Sequence, residues 1–474
     1  MAVSLTSFAA SFGKILGSGP ILLSPDFTVR AFLLVTLAQA DQSPAHKMGE
    51  VLMLRYLLLA SAALSFAAPA SAATQAIIVG NLIPDAATGP TGPAVILVED
   101  GRIKDIAKGT NNPFQADSVV DLSTMTLVPG LIDLHVHLTG DPGDDYRDEA
   151  VNPDEWGVVM GVKNAGLTVK AGFTTVREAG SAQNTAFVLR RGTAEGRIIG
   201  PRIIAAGPAL SIIGGHGDVS GFRNDVIATL ETGYTCTGPI ECAEKVRKSS
   251  RAGADVIKIT ATGGVLSQQG RGLEAHFTSD EMLAITNTAH SLGLKVMAHA
   301  HGARGIEAAS AAGIDSIEHG TFADEAALKV MKAKGTALVP TLMALEGVRA
   351  RLGKGIYTPT VEVKAKQAVE AAGRHVRRAK AMGVTVAFGT DAGVFEHGSN
   401  GGEFALLVNA GMTPTEALAS ATTIAAKTLG LENEIGRIAV GYSADLVAVN
   451  ENPLNNIRTL EKAEWVMVRG RIVP

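Results

Sequence analysis

Six polar residues of this chain stand where short apolar runs end: His135 and His137 in LIDLHVH, Lys258 in ADVIKIT, His299 in KVMAHAH, His319 in SIEHG and Asp391 in VAFGTDAG. Four imidazoles, one carboxylate and one lysine make a donor set for two divalent metal ions at the mouth of a barrel. An ammonium with a pKa of roughly 10.4 cannot ligate a metal. A lysine carbamylated by CO2 can, because it becomes an anion with two oxygens that bridges two ions. His135 and His137 are two apart on an expected strand, so their side chains share a face. Lys258 lies in an apolar run, on the face opposite Ile257 and Ile259. Burying an uncompensated ammonium there is costly, and carbamylation with coordination removes that cost. His299 and His301 also share a face. His299, nearer the strand body, is expected as the ligand, with His301 facing substrate. His319 closes the second metal's shell. Asp391 is expected to ligate and to accept the proton of the attacking water. Each type also has an ordinary use, as core histidine, salt-bridge lysine or helix-capping aspartate. Their coincidence at strand ends favours a metal centre.

Strand-like runs alternate with helical stretches across the middle of the chain, the pattern of a parallel α/β fold. The runs are 131–137, 173–178, 202–207, 254–260, 295–300, 316–320, 337–341 and 385–391. Eight such units predict a (β/α)8 TIM barrel. An open doubly wound sheet would carry a Gly-rich phosphate turn after its first strand, where this chain has His-Val-His. In the helical stretch SDEMLAITNTAHSLG, Ser279 is the expected cap and Gly293 the expected stop. Short apolar runs with turn residues fill both ends, including a hairpin around Asp100-Gly101, and predict a small β-sandwich built from both chain ends. The expected organisation is β-sandwich at 74–128 and 433–474, with the barrel at 129–432.

The loops after the strands should set specificity. His216 in SIIGGHGD, Arg271 in TGGVLSQQGRG and His301 are the expected substrate contacts, with His397 a further loop donor. The glycines before His216 let backbone and ligand approach closely. Hydrogen-bond donors there suit a substrate carboxylate.

A net charge of −4 over 474 residues gives no electrostatic footprint for nucleic acid, and 4% aromatic content offers few stacking platforms. From Met53 the sequence reads MLRYLLLASAALSFAAPASAATQA: a positive start at Arg55, an apolar run from Tyr56 to Ala68, and a small-residue cleavage site at Ala70-Ser71-Ala72. The run is shorter than the roughly 20 residues a membrane anchor needs. A cleaved export signal at 53–73 is therefore expected, with a periplasmic or secreted product and no stable membrane anchor. Residues 1–52 read as an upstream extension from a start codon set too early. Cys236 and Cys242 either pair, as an oxidising compartment allows, or stay as two free thiols. Oligomeric state is open, and a homo-oligomer is compatible with everything above.

VPGLIDLHVH, GFTTVRE, GADVIKIT, AHAHG, GIDSIEHG and FGTDAG together resemble the amidohydrolase superfamily from about residue 76 to 474. The chain looks like the imidazolonepropionase-related group with its binuclear prolidases, Xaa-Arg/Xaa-Lys dipeptidases and ochratoxinase-like amidases. The resemblance implies His135, His137 and Asp391 on one zinc and His299 and His319 on the other, with carboxylated Lys258 and a hydroxide between them. It implies a hydrolase that cleaves amide or peptide bonds and releases a C-terminal amino acid, acting on small molecules with a free carboxylate. Cyclic-amide, lactone or phosphotriester hydrolysis on the same centre is the alternative. Single-metal members lack the strand-four lysine and carry an acidic residue where this chain has Gly302, which counts against that class. A scaffold that kept the barrel and lost its metals would not retain all six ligand types.

Overall fold

A computed structural model of the chain describes residues 74–143, 151–220, 222–268 and 272–474. The expected upstream extension and export signal lie outside these residues, as does Arg271. No described helix is long and apolar enough to cross a membrane.

The N-terminal strands are β1 (Gln75–Leu82), β2 (Ala94–Glu99), β3 (Arg102–Lys108) and β4 (Ser118–Pro129). Seven parallel-sheet strands follow: β5 (Leu131–Val136), β6 (Phe173–Glu178), β7 (Arg202–Ala205), β8 (Val256–Thr260), β9 (Lys295–Ala300), β10 (Ser316–His319) and β11 (Ala337–Val339). The chain ends with β12 (Leu446–Val449), β13 (Trp465–Val468) and β14 (Arg471–Ile472).

The first and last described strands share one seven-stranded sheet, ordered β14-β13-β12-β4-β1-β2-β3. The expected hairpin joins β2 to β3 through Asp100 (φ 51°) and Gly101 (φ 75°), the left-handed pair that a two-residue turn requires. The long β4 binds β1 along its first part and β12 along its last residues. The sheet curls until β3 reaches the segment before β12, with Ile103 N–H donating to Tyr442 O at 2.9 Å and Ala444 N–H to Gly101 O at 2.8 Å. Ile77, Ile96, Leu127, Leu446 and Met467 fill its interior. A small β-sandwich from both chain ends is expected, and the described strands of those ends share this single curled sheet.

Between the ends, the strands form two parallel sheets, β5-β6-β7 and β11-β10-β9-β8. Single parallel bridges connect them, Leu210 to Ile259 on one side, and Leu338 to Val386 and Val136 to Ala392 on the other. The arrangement is a TIM-barrel-like α/β fold. Every residue of β5, β6 and β8 is buried, as parallel strands covered by helices must be.

Two local expectations need correction. The eighth run, 385–391, is not a regular strand. Its backbone bonds leave in three directions: Ala387 N–H to Leu338 O, Phe388 N–H to Ser420 O and Asp391 N–H to His135 O. A ladder to one neighbour is therefore never sustained. The helix Ser279–Ser291 is capped by Thr278, not Ser279. Thr278 Oγ accepts from Glu281 N–H at 3.3 Å, and Glu281 Oε2 accepts from Thr278 N–H at 2.8 Å, a reciprocal pair that satisfies two orphan donors. Gly293, at φ 74°, stands just beyond this helix. Cys236 and Cys242 form a disulfide.

Candidate metal centre and substrate cavity

A cavity of about 290 Å³ opens where β5, β8, β9 and β10 end. His135, His137, Lys258, His299, His301, His319 and Asp391 all line it, and so does His216 from the loop after β7. Of the residues read from the sequence, His397 is not among its lining; its Nε2 contacts Gly140 O at 3.0 Å.

Each imidazole is held by one nitrogen. His135 Nδ1 is 2.8 Å from Glu318 Oε2, and His137 Nδ1 is 2.9 Å from Gly180 O. His319 Nδ1 meets Thr341 Oγ at 2.7 Å, and His301 Nδ1 meets Thr321 Oγ at 2.9 Å. The Nε2 atoms of His135 and His137 then converge on Asp391 Oδ1, at 3.5 and 3.4 Å. This is how metal-binding histidines are oriented: the outer nitrogen fixes the tautomer and the inner one is left for the ion. His299 is reversed, with Nε2 3.4 Å from Gly263 O, which leaves Nδ1 toward the centre. Among the described residues, the donor atoms of two groups each gather within 4.8 Å, those of His135, His319 and Asp391 and those of His299, His301 and His319.

The electrostatics suit cation ligation. Burial is the first cause that holds all six imidazoles below the ordinary histidine range, to about 4 at His137 and about 3 at His216 and His301. All six are therefore neutral donors at pH 7. Burial also lowers the pKa of Lys258, while Glu318 and Asp391 pull it back up. The Lys258 side chain has no hydrogen-bond or ion-pair partner among the described residues. Burial raises the Asp391 carboxyl to about 7, against the pull of Lys258. His319 (φ 69°), Thr341 (φ 49°) and Asp391 (φ 63°) all adopt left-handed backbone, a conformation that costs energy outside glycine and clusters at functional sites.

Several groups that position these residues were not singled out from the sequence. Arg177 binds Leu134 O at 2.7 Å, Ser316 Oγ at 3.1 Å and Glu318 Oε1 at 2.8 Å, and Glu318 in turn orients His135. Asp133 accepts from His135 N–H, Thr390 N–H, Thr390 Oγ and Asn400 Nδ2 at 2.6–3.1 Å. It thereby locks the two chain segments that carry His135 and Asp391. The available signal was period two: Asp133 shares a strand face with His135, and Arg177 is a charge inside an apolar strand. Glu178, fully buried and raised to about 8 by burial, accepts from Gly180 N–H at 3.2 Å, beside the carbonyl that holds His137.

On the substrate side, the His216 ring lies 4.1 Å from that of His299, and its Nδ1 is 2.5 Å from Ser267 Oγ. Gly264 passes so close beneath His216 that an added Cβ would sit 2.3 Å from the ring, and a Cβ at Gly263 would sit 2.0 Å from Gly272 O, which accounts for the glycine pair in the loop after β8. Val265, Leu266, Ala344, Leu345, Val348 and Val394 make the apolar wall.

Comparison with known proteins agrees with this geometry. The model of the amidohydrolase family matches residues 126–473. Ochratoxinase of Aspergillus niger is 33% identical over 365 residues, covering 72% of this chain and 73% of that protein. The crystal structure of a Xaa-Pro dipeptidase with methionine in its active site superposes with a TM-score of 0.80 at 36% identity, over 84% of this chain and 99% of that one. A prolidase complexed with N-methylphosphonate-L-proline gives 0.77 at 29% identity, over 84% and 99%.

Proposed function

The chain belongs to the amidohydrolase family and is a hydrolase of C–N bonds; on that premise we propose that it uses two divalent ions to cleave amides whose leaving group is a free amino acid. His135, His137 and Asp391 would hold one ion and His299 and His319 the other, with carbamylated Lys258 between them; zinc suits this nitrogen-rich set. Such ions, when bound, acidify a shared water and polarise the scissile carbonyl. Asp391 takes the proton of the attacking water and returns it to the leaving amine. Glu318 and Asp133 keep His135 and Asp391 in register during that exchange.

His216 and His301, whose rings flank His299, bind the substrate carboxylate, and the apolar wall takes its side chain. Dipeptides such as Xaa-Pro or Xaa-Arg and N-acyl amino acids fit this description. The observation that carries the reading is the buried Lys258, without an ion-pair partner among the described residues, among neutral imidazoles. An export signal at 53–73 would deliver the enzyme to the periplasm or the medium.

The test compares one well-cleaved dipeptide with its C-terminal amide. Removing a charged hydrogen-bond partner costs a few kcal/mol, so amidation should lower kcat/KM at least about a hundredfold. Equal rates would remove the carboxylate reading and favour lactone, cyclic-amide or phosphotriester substrates.

A further inference from the structure

A second cavity, of about 490 Å³, lies where the seven-stranded sheet meets the start of β7. Arg202 opens that strand, and the chain beyond its other end supplies Ala209 to the catalytic cavity. Four arginines line the second cavity, Arg102, Arg202, Arg469 and Arg471, against the two carboxylates Asp100 and Glu434. Arg102 Nη1 donates to Gly441 O at 2.8 Å, and Arg202 donates to Glu434 at 2.9 Å, Ser443 at 3.2 Å and Asp445 at 3.4 Å. The Nε atoms of Arg202 and Arg469 are buried and have no hydrogen-bond partner among the described residues.

The backbone supplies an independent sign. Arg469 and Gly470 form the two-residue turn between β13 and β14, at φ 49° and 73°. Such turns favour Asn, Asp or Gly at the first position, as the facing turn at Asp100-Gly101 does. An arginine is disfavoured there, yet Asp445 Oδ1 accepts its backbone N–H at 2.7 Å and holds it in place. Burial, then Arg202, draw the Arg469 guanidinium below its usual pKa, with Asp445 and Glu434 pulling it back up and Arg471 adding to the lowering. Four guanidinium groups thus meet in a polar cavity.

We propose that this cavity binds a phosphate group, as the free ion or on a small phosphomonoester, and that the bound anion ties the seven-stranded sheet to the barrel. Several guanidinium forks arriving from different strands match the oxygens of a tetrahedral anion. The cavity exceeds the size of phosphate alone, which leaves room for an ester's organic part.

Titration calorimetry and thermal unfolding of the full chain as purified, with inorganic phosphate and separately with glycerol 3-phosphate at constant ionic strength, test this. Saturable binding and a raised unfolding temperature are expected. Arg469→Gly, which suits the left-handed turn, should unfold at the same or a higher temperature without phosphate, yet bind phosphate at least tenfold more weakly. Arg471→Met should weaken binding severalfold. Tighter binding of glycerol 3-phosphate assigns the ester as occupant; tighter binding of inorganic phosphate assigns the free ion. Absence of saturable binding overturns the proposal. So does an unchanged Kd in Arg469→Gly, because that phosphate would sit at the catalytic cavity.

Discussion

On the floor of the histidine-lined cavity, His135, His137 and His319 are each fixed by a hydrogen bond at Nδ1, and two buried carboxylates, Glu318 and Asp133, tie three chain segments together. The wall is made otherwise. Ala344, Leu345 and Val348 come from the helix Leu342–Arg349, and Val265, Leu266 and Val394 come from loops. The start of that helix is anchored by Glu403, which accepts from Leu342 N–H at 3.0 Å and Met343 N–H at 2.7 Å. The floor is specified by direction and the wall by shape. Chemistry should therefore collapse when a floor residue changes, whereas a wall residue should alter only which substrate is taken.

The largest effect is expected at Asp391. In Asp391→Asn the amide cannot accept or return a proton, and general acid–base catalysis alone is worth roughly 10²–10⁴-fold. Turnover should fall by at least that factor while the fold, read by unfolding temperature, is kept. A near-parental kcat would move the base to another residue.

Lys258→Ala should also abolish activity, but through loss of bound metal, which elemental analysis measures. Added short carboxylates should restore part of the rate, because they replace the bridge. Two metals and full activity retained in this variant would end the carbamate proposal. The two strand-end histidines of β9 divide the floor from the substrate side. His299→Ala should lose about one metal equivalent, whereas His301→Ala should keep both and mainly raise KM. The opposite outcome would exchange their roles.

The same division explains what was legible in the sequence. That His135, His137, Lys258, His299, His319 and Asp391 would line one cavity was legible because each is a polar residue at the end of an apolar run, a local pattern. The seven parallel-sheet strands were readable for the same reason, as was the Asp100-Gly101 hairpin. Arg177, Asp133 and Glu403 were not singled out, because their partners lie far along the chain: Glu318 for Arg177, Asn400 for Asp133 and Leu342 for Glu403. The irregular run at 385–391 was read as a strand because its composition is strand-like, and only its divided hydrogen bonding shows otherwise. Thr278 was passed over for Ser279, since both are good caps and the decision rests on Glu281 standing three residues after Thr278.

The smallest effect is expected on the wall, at Leu345. This side chain is 6% exposed and faces the cavity from a helix that carries no metal-centre residue. Leu345→Ala enlarges the pocket without touching the hydrogen bonds that orient the histidines. One methylene in an apolar pocket is worth about 1–3 kcal/mol of discrimination, or roughly 10–200-fold, and the wall relaxes part of that away. For an apolar acyl residue large enough to reach Leu345, kcat/KM should fall about tenfold, mostly in KM. For a glycyl substrate it should change little, and both metals should remain. The informative quantity is the ratio of the two substrates within each enzyme, because it cancels any loss of folded protein. A drop of equal size on both substrates, or loss of metal, would show that the wall supports the floor after all, and that shape and direction are not separable in this cavity.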